Sequence, residues 1–309
     1  MAARSGNIYV EIAIGAPLDR VWQFTQTPDL HQRWDLRFSE IRYLPRPDPA
    51  EPQRFLYATR IGFGLRVRGE GETVGEHGSA DGERTSALKF WSDDSKSLIR
   101  QGSGYWKYIP DGDGACVRFL TAYDYSVRFG LPGRIFDRLI FRPLIGWATA
   151  WSFDRLRLWA ERDIDPALSM RRSIVHVIAR LSVALVWLYQ GIVPKLIMHH
   201  PDELRMLQDG GVSSSAARPL LTVIGWIELV LGLTLIVAWR ARWPLWLTIV
   251  LMPAAAIGVI VASPSFTVAP FNPITFNLCV FALALIALLG SHDLPSARRC
   301  LRAPALKER

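Results

Sequence analysis

Cysteine is nearly missing from this 309-residue chain: Cys116, Cys279 and Cys300 are the whole complement, and none belongs to a CxxC pair. So small and scattered a set excludes a disulfide framework, a thiolate zinc site, a thioredoxin-like motif and an iron–sulfur cluster. Histidine is also sparse, at six residues. His176 and His199 border one apolar run, but no histidine stands within any such run, which argues against a bis-histidine haem built within the membrane part of one chain. His199-His200, beside Asp202 and Glu203, is the densest group of metal-binding residue types. Adjacent side chains point apart, so no metal is expected there. The glycine-rich stretch Gly69-Glu70-Gly71-Glu72-Thr73-Val74-Gly75 is spaced GxGxxxG, not GxGxxG, and its acids would repel phosphate. Bends or bulges within strands explain it better. No basic run with interleaved aromatics calls for nucleic acid. No Ser/His/Asp set, metal triad or carboxylate pair stands out either, so a binding protein without a cofactor is favoured over an enzyme. The opening MAARSGNIYVEIAIG alternates in polarity without the apolar core of a signal peptide, and the N-terminal domain is expected on the synthesis side of the membrane.

Apolar sequence, by contrast, is abundant: half of the residues are hydrophobic and the mean hydropathy is +0.15. Four runs, at about 177–198, 219–239, 243–262 and 274–290, are each near the roughly 17–25 residues that cross a hydrocarbon core of about 30 Å. Charge alternates between their flanks. Arg171, Arg172 and Arg180 precede or open the first run, whereas Asp202, Glu203 and Asp209 follow it against Arg205. Arg240 and Arg242 separate the second and third runs. The next link, SPSFTVAPFNP, is uncharged, and Arg298, Arg299, Arg302, Lys307 and Arg309 follow the fourth. The positive-inside rule then predicts a multi-pass protein of a bacterial inner membrane with both termini cytoplasmic. Trp239 and Trp243 stand where an interfacial aromatic belt belongs. The pI near 9.7 owes much to these flanking bases, so membrane lipid is the expected partner, not nucleic acid.

The polar front end reads differently. Residues 7–15 alternate as a half-buried strand, and short helical stretches follow at 17–24 and 30–34. Strand-like pieces recur at about 36–44, 54–67, 70–76, 85–91, 97–109 and 115–128, with Asp111-Gly112-Asp113-Gly114 as a hairpin loop. A long amphipathic stretch, 131–162, closes the domain, divided by Pro143. Its first part is predicted to lie on the leaflet with Arg134, Arg138 and Arg142 at the headgroups. Trp147, Trp151 and Leu158 of its second part are predicted to plug the sheet.

Ala16-Pro17-Leu18-Asp19-Arg20-Val21-Trp22-Gln23-Phe24, with His31-Gln32-Arg33-Trp34-Asp35, resembles the START-like (SRPBCC, polyketide cyclase/dehydrase) superfamily over about residues 5–162. The resemblance implies a helix-grip fold with an apolar cavity between sheet and closing helix, holding a hydrophobic small molecule. Farther on stand Trp187-Leu188-Tyr189-Gln190-Gly191-Ile192-Val193-Pro194-Lys195, His200-Pro201-Asp202-Glu203, Gly225-Trp226-Ile227-Glu228 and Phe271-Asn272-Pro273-Ile274-Thr275-Phe276-Asn277. These resemble the DoxX-like family of four-helix membrane proteins over about residues 173–290. The expected fold class is an α+β START-like helix-grip domain (1–162) followed by an all-α transmembrane four-helix bundle (173–292), with a linker at 163–172 and a basic cytoplasmic tail at 293–309.

Glu228 lies near mid-span, where a charge costs at least ~2.5–3.5 kcal/mol. Gly225 and Gly232 share its helix face, so a neighbouring helix can approach and Glu228 is expected to face the bundle interior. With Gln190, Lys195 and Asn277 it forms a candidate ligand site for a headgroup, quinone or small solute. The alternative is that Glu228 merely pairs with Lys195 or with the asparagines, Asn272 and Asn277, to set helix register. The favoured function is a membrane-anchored binding protein whose cytoplasmic cup holds a hydrophobic ligand. The alternatives are a quinone-linked oxidoreductase subunit, after the namesake of the DoxX-like family, and a permease-like component. A homo-oligomer or a membrane partner subunit stays open. Topology is checked by thiol labelling of intact cells: a membrane-impermeant reagent is expected to modify Ser213→Cys and Thr267→Cys and to spare Ala241→Cys, and the reverse pattern inverts the orientation.

Overall fold

A computed structural model describes residues 7–304 except 49, 63, 80 and 81. The chain divides into two compact units, one comprising residues 1–169 together with 295–309 and the other residues 170–294.

In the first unit β1 (Ile8–Ile14) leads to two short helices, α1 (Leu18–Gln26) and α2 (Pro28–Trp34). Both begin at proline, Pro17 as the cap of α1 and Pro28 at the start of α2, where a missing N–H costs nothing. Six strands follow: β2 (Glu40–Tyr43), β3 (Arg54–Gly62), β4 (Leu65–Gly78), β5 (Arg84–Trp91), β6 (Ile99–Pro110) and β7 (Val117–Val127). They form one antiparallel sheet in the order β1-β7-β6-β5-β4-β3-β2. The chain then runs through α3 (Gly130–Phe136), a π-helical turn (Asp137–Phe141) and α4 (Arg142–Arg162). Alternation in β1 buries Ile8, Val10, Ile12 and Ile14 in one core with Trp106, Phe119, Phe153 and Leu156, so the sheet grips α4. This is the helix-grip fold expected. The Asp111–Gly114 hairpin also forms, with Gly114 at φ +69°.

Three expectations are corrected. The stretch 54–67 is not one strand: the chain reverses near Gly64, whose φ of +75° only glycine adopts freely, and β4 begins at Leu65. Residues 36–39 form no strand, because they loop around the buried Asp35. Trp147 does not plug the sheet; it is 46% exposed and stacks on the buried Trp151. Gly69 and Gly71 pair directly with Tyr57 and Phe55 of β3, and a Cβ at either glycine would lie 2.3 Å from those rings. The glycines are therefore seats for aromatic rings in a strand, and the register shift between Thr73 and Gly75 supplies the bulge.

Buried Arg155 ties the helices together, donating to the carbonyls of Arg33, Trp34 and Pro166, each at 2.9 Å. Burial lowers its pKa to about 10, which leaves it charged at neutral pH. Residues 295–304 pack on the same unit. The Ser296 N–H donates to Asp154 Oδ2 at 2.7 Å, Arg157 Nε donates to Asp154 Oδ1 at 2.7 Å, and Arg299 lies 3.4 Å from Oδ2. The Cys300 thiol donates to the Ala150 carbonyl, and Leu301 exchanges two backbone hydrogen bonds with Glu11, at 3.0 and 2.9 Å, on the free edge of β1. Lys307 and Arg309, assigned to the tail, lie outside the described residues.

The second unit is helical. α5 (Pro166–Gln190), which starts in the first unit, passes into a π-helical stretch (Gly191–Ile197) around Pro194. Then come α6 (Pro201–Asp209), α7 (Ser214–Val237), α8 (Trp243–Ala262) and α9 (Pro273–Leu289). Pro166–Ile197, Ser214–Val237 and Trp243–Ala262 are long and apolar enough to cross a membrane; α9 is a shorter apolar helix of 17 residues. Only 17–33% of the apolar windows of the three is buried, so their outward faces need an apolar medium. Glycines set the packing: a Cβ on Gly191 would lie 2.7 Å from the Gly225 carbonyl, and one on Gly232 would strike Leu188. Arg180, fully buried, donates to the carbonyls of Leu235, Ala238 and Ala241 at the end of α7. It is thus a helix C-cap as well as a flanking base.

Both ends of the segment 170–294 join the same compact unit. A folded unit lies on one side of a bilayer, so the segment crosses an even number of times. Three long helices cannot satisfy this alone, and α9, about 25 Å at 1.5 Å per residue, makes the fourth crossing. A disulfide reads this out. In the Glu11→Cys/Leu301→Cys double variant, mild oxidation in membranes is expected to cross-link the two positions in most molecules, with either single variant unlinked. No cross-link means that the segment crosses an odd number of times.

Two candidate ligand cavities

The helix-grip unit holds a partly open cavity of about 150 Å³, walled by Phe38, Ile41, Tyr57, Phe90, Trp106 and Ile145 among others. That volume holds a single benzene-sized ring. Polar side chains are numerous in the cavity lining, but most are already hydrogen-bonded within the protein, among them Tyr43, Tyr57, Thr59, Thr121 and Tyr123. Thr25 Oγ1 and Tyr108 Oη hydrogen-bond at 2.7 Å, and Gln26 Nε2 donates to the same Tyr108 oxygen at 2.8 Å.

Where α2 ends, His31, Asp35 and Arg37 form a buried cluster. Asp35 is wholly buried, and Arg37 grips it through Nε, at 2.9 and 3.2 Å, and through Nη2 at 2.6 Å. Burial pushes the Asp35 carboxyl upward, but the Arg37 charge and the hydrogen bonds from His31 and Arg37 outweigh it and hold the group well below the usual range. Burial likewise works against the Arg37 charge, and Asp35 reverses the sign, so its pKa is raised. His31 Nε2 lies 3.1 Å from Asp35 Oδ2, and burial lowers the imidazole pKa against the pull of that carboxylate. With Asp35 ionised, Nε2 carries the proton and Nδ1 is left an acceptor. The cluster is one anion, one cation and a neutral base, hence uncharged overall. His31 and Arg37 line the cavity. Neither was expected as a site residue. The signal was in His31-Gln32-Arg33-Trp34-Asp35-Leu36-Arg37, where an i, i+4 histidine–aspartate pair is followed two residues later by a base.

The second cavity belongs to the membrane unit and measures about 1060 Å³. All four expected ligand residues, Gln190, Lys195, Glu228 and Asn277, line it. Lys195, 7% exposed, lies 3.2 Å from Glu228 Oε2 and donates to Glu203 Oε1 at 3.1 Å. The pairing with Lys195 weighed from the sequence is therefore present, and it includes a third member. Glu203, from α6, looked like a loop charge because nothing in its spacing ties it to α5 or α7. Asn272 also lines this cavity, while its Oδ1 caps α9 by accepting from the Thr275 N–H at 2.9 Å. His200 caps α6 by accepting from the Asp202 N–H, and His199 meets Thr222 at 3.1 Å. Among the described residues no cluster suits a metal.

Of the residues assigned to the membrane interface, Trp243 is exposed and lines the larger cavity, whereas Trp239 packs edge-on to His176 and under the Arg180 guanidinium. Arg134 and Arg138 are exposed. Arg142 is committed to Asp137 and Asp124, both at 3.1 Å, and sits over the Tyr125 ring.

His31 makes the first unit sensitive to acid. Its folded pKa lies below the unfolded value near 6.5, so the unfolded chain takes up protons that the folded one refuses. Its contribution is complete above about pH 6.5 and is lost as pH falls through that value. Asp35, also depressed, adds a loss that begins only near pH 4. The thermal midpoint of the first unit's unfolding is expected to fall between pH 7 and 5, and His31→Gln to flatten it in that window; an unchanged slope removes His31 as the cause.

A DoxX-like family profile matches residues 184–285. The uncharacterized membrane protein YndG of Bacillus subtilis is 54% identical over 188 residues, which cover 61% of this chain and 69% of that one. Among solved structures, a START superfamily protein from Mycobacterium smegmatis is 13% identical, covers 48% of this chain and 96% of its own, and has a TM-score of 0.35. The Zhui aromatase/cyclase from a Streptomyces species is 11% identical, covers 50% and 98%, and has a TM-score of 0.36. The chain belongs to the family of the membrane protein YndG, and joins a helix-grip domain to a DoxX-like membrane domain.

Proposed function

We propose that this is a membrane-anchored binding protein whose helix-grip cup takes a small, neutral, ring-bearing hydrophobic molecule. The observation that supports it is the partly open, aromatic-walled cavity of about 150 Å³ lined by His31 and Arg37, whose cluster with Asp35 is internally neutralised. A charged ligand would find no uncompensated partner there, and would lose its hydration for nothing. A neutral molecule gains apolar burial at about 25 cal/mol per Å² and can accept from a guanidinium edge or donate to His31 Nδ1.

The exposed face around α3 supports a position against lipid. Phe129, Leu131, Ile135, Leu139, Ile140 and Leu144 are all exposed, with Arg134 and Arg138 exposed among them. Such a segment lies in the interfacial plane, apolar side in the acyl boundary and bases at the headgroups. A ligand of low water solubility then meets the cup beside its reservoir, at a raised effective concentration. The orientation that fits is the one the loop charges favour, cup and tail in the cytoplasm.

Two measurements test this. Native mass spectrometry of the full chain, extracted in mild detergent, is expected to show a small apolar molecule that is reduced at least fivefold in Leu88→Trp, a cavity-wall substitution that fills the space. Undiminished retention in that variant, or an empty wild type, refutes cup binding. Separately, a spin label at position 139 is expected to be reached by oxygen and shielded from a water-soluble nickel chelate; the opposite ratio puts α3 in water.

A further inference from the structure

The larger cavity carries a second site that owes nothing to the cup. Its lining is of two kinds. Gln190, Lys195, Glu203, Glu228, Asn272 and Asn277 supply polar groups. The stretch from Val230 and Leu231 of α7 to Trp243, Leu247 and Met252 of α8 is apolar but for Thr234. The α8 stretch alone runs about 13 Å at 1.5 Å per residue. At about 1060 Å³ the space is at the top of the range for ligand cavities, about 300–1,000 Å³. A polar head and an apolar tail are both provided for.

Charge chooses the head. Lys195 is a single cation between two carboxylates, Glu203 at 3.1 Å and Glu228 at 3.2 Å, so the ionised trio carries one net negative charge. Glu228 Oε2 is buried; Lys195 Nζ lies 3.2 Å from it as an ion pair, but the oxygen accepts no hydrogen bond. A carboxylate oxygen held among apolar helices without a hydrogen bond is costly, and a ligand that brings an N–H donor relieves it. Of the three N–H donors of Lys195 one goes to Glu203 Oε1, which leaves donors for an acceptor. The Asn277 and Gln190 amides add donors in the same lining. The site therefore asks for an ammonium and an anionic oxygen on one headgroup. It disfavours a headgroup that is only anionic.

We propose that this groove binds one acyl chain of an amine-headed, zwitterionic phospholipid, with the ammonium at Glu228 and Glu203 and the phosphate at Lys195, Gln190 and Asn277. The occupant is a lipid and not a second copy of the chain, because an apolar helix face would leave the Glu228 oxygen as short of a hydrogen bond as before.

The test is a lipid titration of the delipidated full chain in mild detergent, read by native mass spectrometry, with phosphatidylethanolamine and phosphatidylglycerol of identical chains. Phosphatidylethanolamine is expected to be retained at least tenfold better. Glu228→Gln, which removes the charge and keeps the shape, is expected to lower its retention at least tenfold and to leave phosphatidylglycerol unchanged. Ala255→Trp, which narrows the groove away from the charged trio, is expected to reduce both and decides the matter if Glu228→Gln fails to fold. Equal retention of the two lipids, preference for phosphatidylglycerol, an unaffected Glu228→Gln, or a lipid-free dimer each overturns the assignment.

Discussion

Everything about the membrane half follows from where its two ends are held. Asp154, buried on α4, accepts from the Ser296 N–H, from Arg157 and from Arg299, while Leu301 pairs with the edge of β1. A buried carboxylate with this many donors is strongly committed: removing one partner of such a cluster costs about 3–5 kcal/mol. The C-terminal segment therefore belongs to the first unit's fold as firmly as β1 does. Parity follows from that fold, and with parity a 17-residue helix that hydropathy alone leaves ambiguous becomes a membrane crossing.

The two cavities show how differently the same residue types behave in the two units. In the cup, Asp35 and Arg37 cancel each other and His31 stays neutral, so the wall is polar without being charged. In the membrane unit the balance is two acids to one base, and an acceptor is left over. Low dielectric magnifies both outcomes: a satisfied network stiffens its wall, and an incomplete one has a strong demand for whatever completes it. Size runs the other way from charge balance. The neutral cup fits one ring; the charged groove fits a chain. A single ligand serving both sites would have to be small and neutral in one and long and amphipathic in the other. Two ligands, or a head and tail read separately, suit the geometry better.

Periodicity made the architecture legible. Alternation in β1 and the apolar runs after residue 172 dictate which faces are buried, and those are the strongest signals a sequence carries. Glu228 was legible for a similar reason: an acid amid apolar residues is conspicuous, and Gly225 and Gly232 on its face showed that a helix would come close. What stayed hidden depended on pairs that no single helix or strand repeat brings together. Glu203 meets Lys195 only because the π-helical stretch and α6 fold back over the end of α5. Gly69 and Gly71 were readable as glycines within strands, but nothing nearby reveals that Tyr57 and Phe55 lie across from them. Trp147 looked like core because an apolar ring at a helical period is read as inward, yet α4 presents to the sheet the face of Ala150, Phe153 and Leu156. The Asp154 clasp was beyond reach, since Ser296 and Arg299 stand more than 140 residues after it.

Close packing and incomplete polar satisfaction meet at α7. Gly225 and Gly232 bring its backbone against α5 and the π-helical stretch, and Arg180 finishes its C-terminal carbonyls, so this helix is fixed at both ends of its buried face. Glu228 lies between those two anchors. A side chain on so constrained a helix cannot swing away to find a better donor, so Oε2 keeps its ion pair with Lys195 but gains no hydrogen bond. Had the interface been built of larger residues, the helices would separate and water or lipid headgroups could enter at random. Small residues instead hold the acid at a defined depth beside a cavity that only a molecule with its own donor can fill without penalty.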